Sequence, residues 1–119
     1  RLKNEFKTTL LKYNLKITFG GKLCNISGLH SKVDSMYFFT NQYKVKYRTR
    51  KLITTSLGDS QNDIEILNNS NYSGIIRGNS DNIFNLYKKN NVFRSFTRAP
   101  NGWVEVLKKI LIKMEKDYN

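Results

Sequence analysis

The sequence predicts an α/β fold in which parallel strands are flanked by helices, as in part of an open Rossmann-like sheet. Three observations carry that expectation. From Lys32 onward helical and β-rich segments alternate to the end of the chain, the pattern of a parallel sheet covered by helices. The string Gly58-Asp59-Ser60-Gln61-Asn62-Asp63 lies between a β-rich run and a helix, and open α/β sheets bind ligands beyond the carboxyl ends of their strands. The segment after Pro100-Asn101-Gly102 has the clearest helical periodicity in the chain.

Each element has its own signal. Leu2, Phe6, Leu10 and Tyr13 recur at helical spacing over residues 1–14. Leu15–Phe19 and Lys22–Ser27 alternate as strands about Gly20-Gly21 and read as a hairpin. Gly28 to Ser31 is a loop, with Ser31 placed to cap the next helix. That helix runs from Lys32 to about Arg48, with Val33, Met36, Tyr37, Thr40, Tyr43 and Tyr47 along one stripe. Lys51–Leu57 is β-rich and ends at Gly58. Gln61–Asn69 reads as a short helix, Tyr72–Arg77 as a strand, Asp81–Lys89 as a helix and Val92–Thr97 as a short strand. In the last helix Trp103, Val106, Leu107, Ile110, Leu111, Met114 and Tyr118 form a stripe expected to be core. The boundary between two parts is expected near Gly28, giving segments 1–28 and 29–119.

Composition bounds the function. The chain has 119 residues, 39% hydrophobic and 13% aromatic, enough for one modest core. No apolar run approaches the roughly 18 residues of a membrane span. One cysteine, Cys24, excludes an internal disulfide framework, and the lone His30 excludes a site needing two histidines. The chain opens Arg-Leu-Lys-Asn-Glu-Phe, without an initiator Met or a leader pattern, so a cytoplasmic piece of something longer is expected. The net charge is +12, and it is uneven: residues 1–55 hold 12 basic and 2 acidic side chains, residues 56–119 hold 9 and 7. Such a surplus suits nucleic acid or an anionic substrate. Solvated lysines in a chain rich in Lys, Asn and Ile account for it more readily.

The chemistry centres on residues 58–63. Gly58 permits a tight turn, Asp59 projects from the strand tip, and Asn62 and Asp63 lie in the first helical turn beside unpaired N–H groups. Two carboxylates and an amide at one tip suit a hard dication such as Mg²⁺, and a helix start suits phosphate. Ser60 with Asp63 is also the pattern of a plain capping pair. Lys32 lies 27 residues before Asp59, at a helix start. A helix of about 17 residues descends about 25 Å. A strand of about seven residues climbs back about 23 Å. Lys32 and Asp59 are therefore expected on the same edge of the sheet.

Gly-Asp-Ser-x-Asn-Asp resembles the fourth motif of the haloacid-dehalogenase-like phosphatases. Gly28-Leu29-His30-Ser31-Lys32 looks like their third motif. Thr18-Phe19-Gly20-Gly21-Lys22 and Ala99-Pro100-Asn101-Gly102-Trp103 are similar to segments of the mannosyl-3-phosphoglycerate phosphatases, with Lys22 in place of an arginine and Ala99 in place of a glycine. The resemblance implies that residues 1–28 are a late cap segment and 29–119 the latter half of a catalytic core. It implies Mg²⁺ held by Asp59 directly and by Asp63 through water or by orienting other ligands. It implies Lys32 stabilising phosphate charge, Ser60 and Asn62 binding phosphate or organising the loop, and Lys22 meeting an anionic sugar-phosphate substrate.

The family's nucleophile motif, Asp-x-Asp, does not occur in the sequence. Asp34, Asp81 and Asp117 have neither the second aspartate nor a preceding apolar strand. The isolated chain is accordingly expected to be weakly stable and without turnover, one edge of the Lys51–Leu57 strand lacking its neighbour. Two other readings stand behind this one. One is a nucleic-acid-binding module built on Lys44, Lys46, Arg48, Arg50 and Lys51 among Tyr43 and Tyr47. The other is a non-catalytic remnant that pairs with another chain.

Overall fold

The computed structural model describes residues 2–20, 23–78 and 85–119. Helix α1 (Leu2–Lys12) leads into β1 (Leu15–Gly20), which pairs antiparallel with β2 (Leu23–Gly28), Leu15 opposite Gly28 and Gly20 opposite Leu23. Asn14, in the left-handed region at φ 57°, makes the reversal from helix to strand. The hairpin forms a two-stranded sheet of its own. The Gly20-Gly21 turn and Lys22 were expected to meet substrate; Gly21 and Lys22 lie outside the described residues.

Helix α2 (Lys32–Tyr47) begins at a reciprocal cap: Asp34 N–H donates to Ser31 Oγ (3.2 Å) and Ser31 N–H to Asp34 Oδ2 (2.8 Å). It ends at Arg48, whose left-handed backbone (φ 51°) returns its N–H to the last turn. Next come β3 (Thr55–Gly58), a 3₁₀ turn (Gln61–Asp63), α3 (Ile64–Asn69), β4 (Tyr72–Arg77), β5 (Val92–Arg98) and α4 (Asn101–Tyr118). Strands β3, β4 and β5 form a parallel sheet in that order. This is a mixed α/β architecture compatible with a Rossmann-like core.

β4 organises both layers because its side chains alternate between the sheet's faces. Tyr72 and Ile76 pack with Val106 and Ile110 of α4, flanked by Ile53, Leu57 and Phe93. Ile75 packs on the other face with Leu67 of α3 and Leu86. Ser73, fully buried on that second face, donates its hydroxyl to the Leu67 carbonyl and so keeps a buried polar group satisfied. Tyr72 Oη donates to Asp117 Oδ2 at 2.5 Å, tying the last turn of α4 to the sheet. That acceptor pushes the Tyr72 hydroxyl above its ordinary range, while Lys113 chiefly holds Asp117 below its own.

Three expectations are corrected. The helix over residues 81–89 is absent from its described part: 85–89 are irregular, and 81–84 lie outside the described residues. Leu86 inserts into the core there, while Asn68 Oδ1 accepts the N–H groups of Tyr87 (2.8 Å) and Lys88 (3.3 Å), bonds that displace helical pairing. The β-rich run 51–57 is strand only from Thr55; Thr54 gives its carbonyl to the Tyr72 N–H (3.1 Å) and its own N–H to Asn71 Oδ1 (2.8 Å). The stripe of α4 is only half core: Val106 and Ile110 are buried, whereas Trp103, Leu107, Leu111 and Tyr118 are exposed. On α2 only Val33 is buried, and Tyr37, Tyr43 and Tyr47 stay exposed.

One ionisable contact gives an acid-stability prediction. Glu105 accepts the N–H groups of Phe96 (2.9 Å) and Thr97 (3.1 Å) and the Thr97 hydroxyl (2.7 Å). These bonds, the Phe96 N–H first, hold its carboxyl down at about 2, from an ordinary 4.5. A depressed carboxyl contributes stability above its unfolded pKa and loses it as pH falls through the folded value. Thermal stability should therefore fall between about pH 4.5 and pH 2, and Glu105→Gln should flatten that part of a melting-temperature-versus-pH curve.

Candidate functional site

The site is the end of the sheet where β3 stops and α2 begins. Gly58 closes β3, and a Cβ there would lie 2.7 Å from both Cγ and Oδ2 of Asp63, so only glycine lets the following loop fold back on the strand tip. The loop is tied by that carboxylate. Asp63 Oδ2 accepts the N–H groups of Asp59 (3.2 Å) and Ser60 (3.3 Å) and the Ser60 hydroxyl (3.3 Å). Its Oδ1 accepts the Lys32 ammonium. Asp63 is buried, its side chain 9% exposed, whereas the Lys32 side chain is 60% exposed.

Lys32 and Asp63 are 31 residues apart, and they meet because α2 and β3 begin and end on the same side of the sheet. The half-solvated ion pair itself contributes about 1 kcal/mol at most. Its larger consequence is positional: an ammonium group sits at the strand tip on a side chain that is largely exposed. Asp59 is exposed and no described residue donates to its carboxylate. Asn62 is also exposed at the first turn. Ser60 organises the loop through Asp63.

The two aspartates are thus not equivalent. Asp63 has both oxygens occupied by protein donors, which fits an orienting role. Asp59 offers a free carboxylate, the hard oxygen donor that Mg²⁺ prefers. Among the described residues no group of three or more His, Cys, Asp or Glu side chains converges. One exposed carboxylate suits one position of an octahedral ion, with other ligands from outside this group.

A cleft of about 780 Å³, lined mainly by residues with polar side chains, opens beside the tip, between the hairpin and the core. Lys16, Thr18, Asn25 and Ser27 line its hairpin wall, with Lys32 and Asn62 on the core side. Lys16 pairs with Ser27 and Thr18 with Asn25, so all four occupy one face of the hairpin. Sequence reasoning missed these four, although the polar residues at alternate positions of both strands were a readable signal.

Asp63→Asn should separate the loop role from the exposed position. The amide must turn its NH₂ toward either the Lys32 ammonium or the loop's N–H donors, so one set loses its acceptor. The expected cost is about 1–3 kcal/mol, read as a lower urea midpoint. Asp59→Asn, at the exposed tip, should change stability by about 0.5 kcal/mol or less.

None of the described helices is long and apolar enough to cross a membrane. In comparisons with known proteins, no family model, no curated protein and no solved structure matches the chain.

Proposed function

We propose that the tip formed by Lys32 and Gly58–Asp63 is the phosphate- and metal-handling part of a Mg²⁺-dependent phosphomonoester hydrolase of the haloacid-dehalogenase type. The substrate class is a sugar phosphate such as mannosyl-3-phosphoglycerate. The observation that carries this reading is the meeting of the Lys32 ammonium with the Asp63 carboxylate beside the unpartnered carboxylate of Asp59.

On this reading each residue has a distinct task. Lys32 lies where it neutralises negative charge on a phosphoryl group, an interaction that strengthens as charge builds toward the transition state. Asp59 supplies a carboxylate oxygen to the ion, and Asp63 fixes the loop and the lysine. Mg²⁺ when bound would supply charge neutralisation at the phosphoryl oxygens. Asn62 is placed to donate to a phosphate oxygen at the helix start. The attacking carboxylate, which would form an aspartyl-phosphate, comes from outside these 119 residues, because no Asp-x-Asp occurs in them. The 119-residue chain by itself is therefore inactive on this reading.

The test is to express the chain in one polypeptide with the sequence encoded immediately upstream and assay inorganic phosphate release from sugar phosphomonoesters. Turnover that requires Mg²⁺ and disappears with EDTA is expected. A well-folded product with no release, or release indifferent to EDTA, would contradict the proposal.

A further inference from the structure

We infer that the cavity between α2 and the start of the sheet is a binding site for a small organic carboxylate, held by the Lys44 ammonium and the side-chain amide of Asn71. Lys44 lies in the last turn of α2, at the opposite end of that helix from Lys32. The cavity shares only Asn69 with the cleft beside the strand tip, and the inference does not depend on the phosphatase reading.

The space follows from which side chains face each other. Met36, Tyr37, Thr40 and Lys44 fall on one face of α2, the face turned to the core. Leu52, Thr54 and Asn71, from the chain just ahead of β3 and β4, lie across from them. Several of these side chains are short and polar, where close packing of a helix on a sheet needs bulk. A cavity of about 330 Å³ remains. Sites for small molecules span about 300–1,000 Å³, so this one takes a compact ligand.

The hydrogen bonds already made show what the cavity still offers. Tyr37 Oη donates to Asn69 Oδ1 (3.1 Å), and Asn69 Nδ2 donates to the Glu65 carbonyl (2.8 Å), so both ends of that amide are spent. Thr40 Oγ donates to the Tyr37 carbonyl (3.1 Å). Asn71 Oδ1 accepts both the N–H (2.8 Å) and the hydroxyl (3.1 Å) of Thr54. Those two donors fix which end of Asn71 is oxygen, and its NH₂ has no acceptor among the described residues. The Lys44 ammonium likewise has no partner among them, although Lys44 is half-buried while Lys46, Arg48 and Arg50 are exposed. The cavity therefore has one positive charge and one amide donor without acceptors.

That inventory selects the ligand. No described residue lining the cavity is acidic, so a single ammonium calls for a single negative charge. A carboxylate brings one charge and two acceptor oxygens, one for Lys44 and one for Asn71. A phosphate dianion would leave excess charge in a half-buried place. Met36 and Leu52, beside the Tyr37 ring, give a short hydrocarbon body an apolar wall.

The probe is sodium butyrate, titrated into the full chain at constant ionic strength and followed residue by residue by NMR. Saturable shifts are expected at Thr40, Lys44 and the Asn71 side-chain NH₂. Lys44→Met should weaken butyrate binding about 10–100-fold, and butyramide, which has the same shape without the charge, should lose a similar factor. Lys46→Met removes an equal charge from an exposed position of the same helix and should leave the affinity unchanged. Asn71→Asp keeps the acceptor for Thr54 but puts a negative oxygen in place of the NH₂, so the chain should fold and butyrate binding should vanish. Shifts that fail to saturate or spread over the basic surface would overturn the inference. So would inorganic phosphate binding as tightly as butyrate, or equal effects of Lys44→Met and Lys46→Met.

Discussion

Replacing Lys32 with Met should lower phosphomonoester turnover by about 10²–10³-fold while the fold stands. The ammonium is attached to the first turn of α2, and its side chain is 60% exposed, so little burial is lost with it. What is lost is a positive charge placed on the strand tip, where a transferring phosphoryl group concentrates negative charge. Because the interaction strengthens toward the transition state, the effect belongs in kcat more than in KM. Asp63 keeps its three loop donors in the variant, so the loop retains its shape. The comparison that isolates the local effect is Lys108→Met, on the exposed side of α4, which removes the same unit from the net charge of +12. It should leave turnover within about twofold, since net charge acts on association and solubility rather than on chemistry. Steady-state kinetics of both variants in the upstream-extended polypeptide, with circular dichroism to confirm folding, checks the pair. Equal losses in the two variants would remove the special role of Lys32.

The largest stability effect is expected at Gly74. It sits in the middle of the central strand, fully covered by α4, and an added Cβ would collide with both Val106 and Leu57 and lie 3.5 Å from Ile110 Cδ1. Val106, on the inner face of α4, is fully buried and has no room to withdraw, and Leu57 packs half-buried beside it from the adjacent strand. Gly74→Ala should therefore push α4 off the sheet and cost about 1–3 kcal/mol or more. For a small domain with one face of β3 incompletely covered, that is a large part of the total. Adding Val106→Ala opens space on the same side, so the double variant should be more stable than the sum of the single effects predicts. Urea unfolding of the three variants measures the coupling; strict additivity would contradict the packing account.

Much of the layout was legible because local signals and tertiary packing agree. The glycines around the hairpin, the Ser31–Asp34 cap and the alternation in residues 72–77 each specify geometry within a few residues, and the structure has those elements. The convergence of Lys32 with residues 59–63 was legible from the rise of a helix and the return of a strand. The segment around residues 85–89 was not. Its apolar spacing suits a helix, yet Asn68, distant in sequence, takes the backbone N–H groups that a helix would use. The stripe of α4 misled in the opposite way. Periodicity marks a face as apolar but does not say how much of that face is covered. The α4 stripe is therefore right about the helix and only half right about burial, while α2, for which only a stripe was expected, leaves Tyr37, Tyr43 and Tyr47 exposed. At the tip, the pairing of Ser60 with Asp63 read equally as a cap and as a metal-ordering carboxylate. In the folded chain Asp63 makes the loop bonds of a cap and also holds Lys32.

The most direct measurement compares wild type with Asp59→Asn, each in the upstream-extended polypeptide, for release of phosphate from mannosyl-3-phosphoglycerate across a Mg²⁺ titration. Loss of a direct carboxylate ligand should reduce turnover by at least about 100-fold and raise the Mg²⁺ concentration needed, with no change in melting beyond that of a surface substitution. Unchanged turnover and an unchanged Mg²⁺ requirement in Asp59→Asn would contradict the assignment of this strand tip to metal and phosphate.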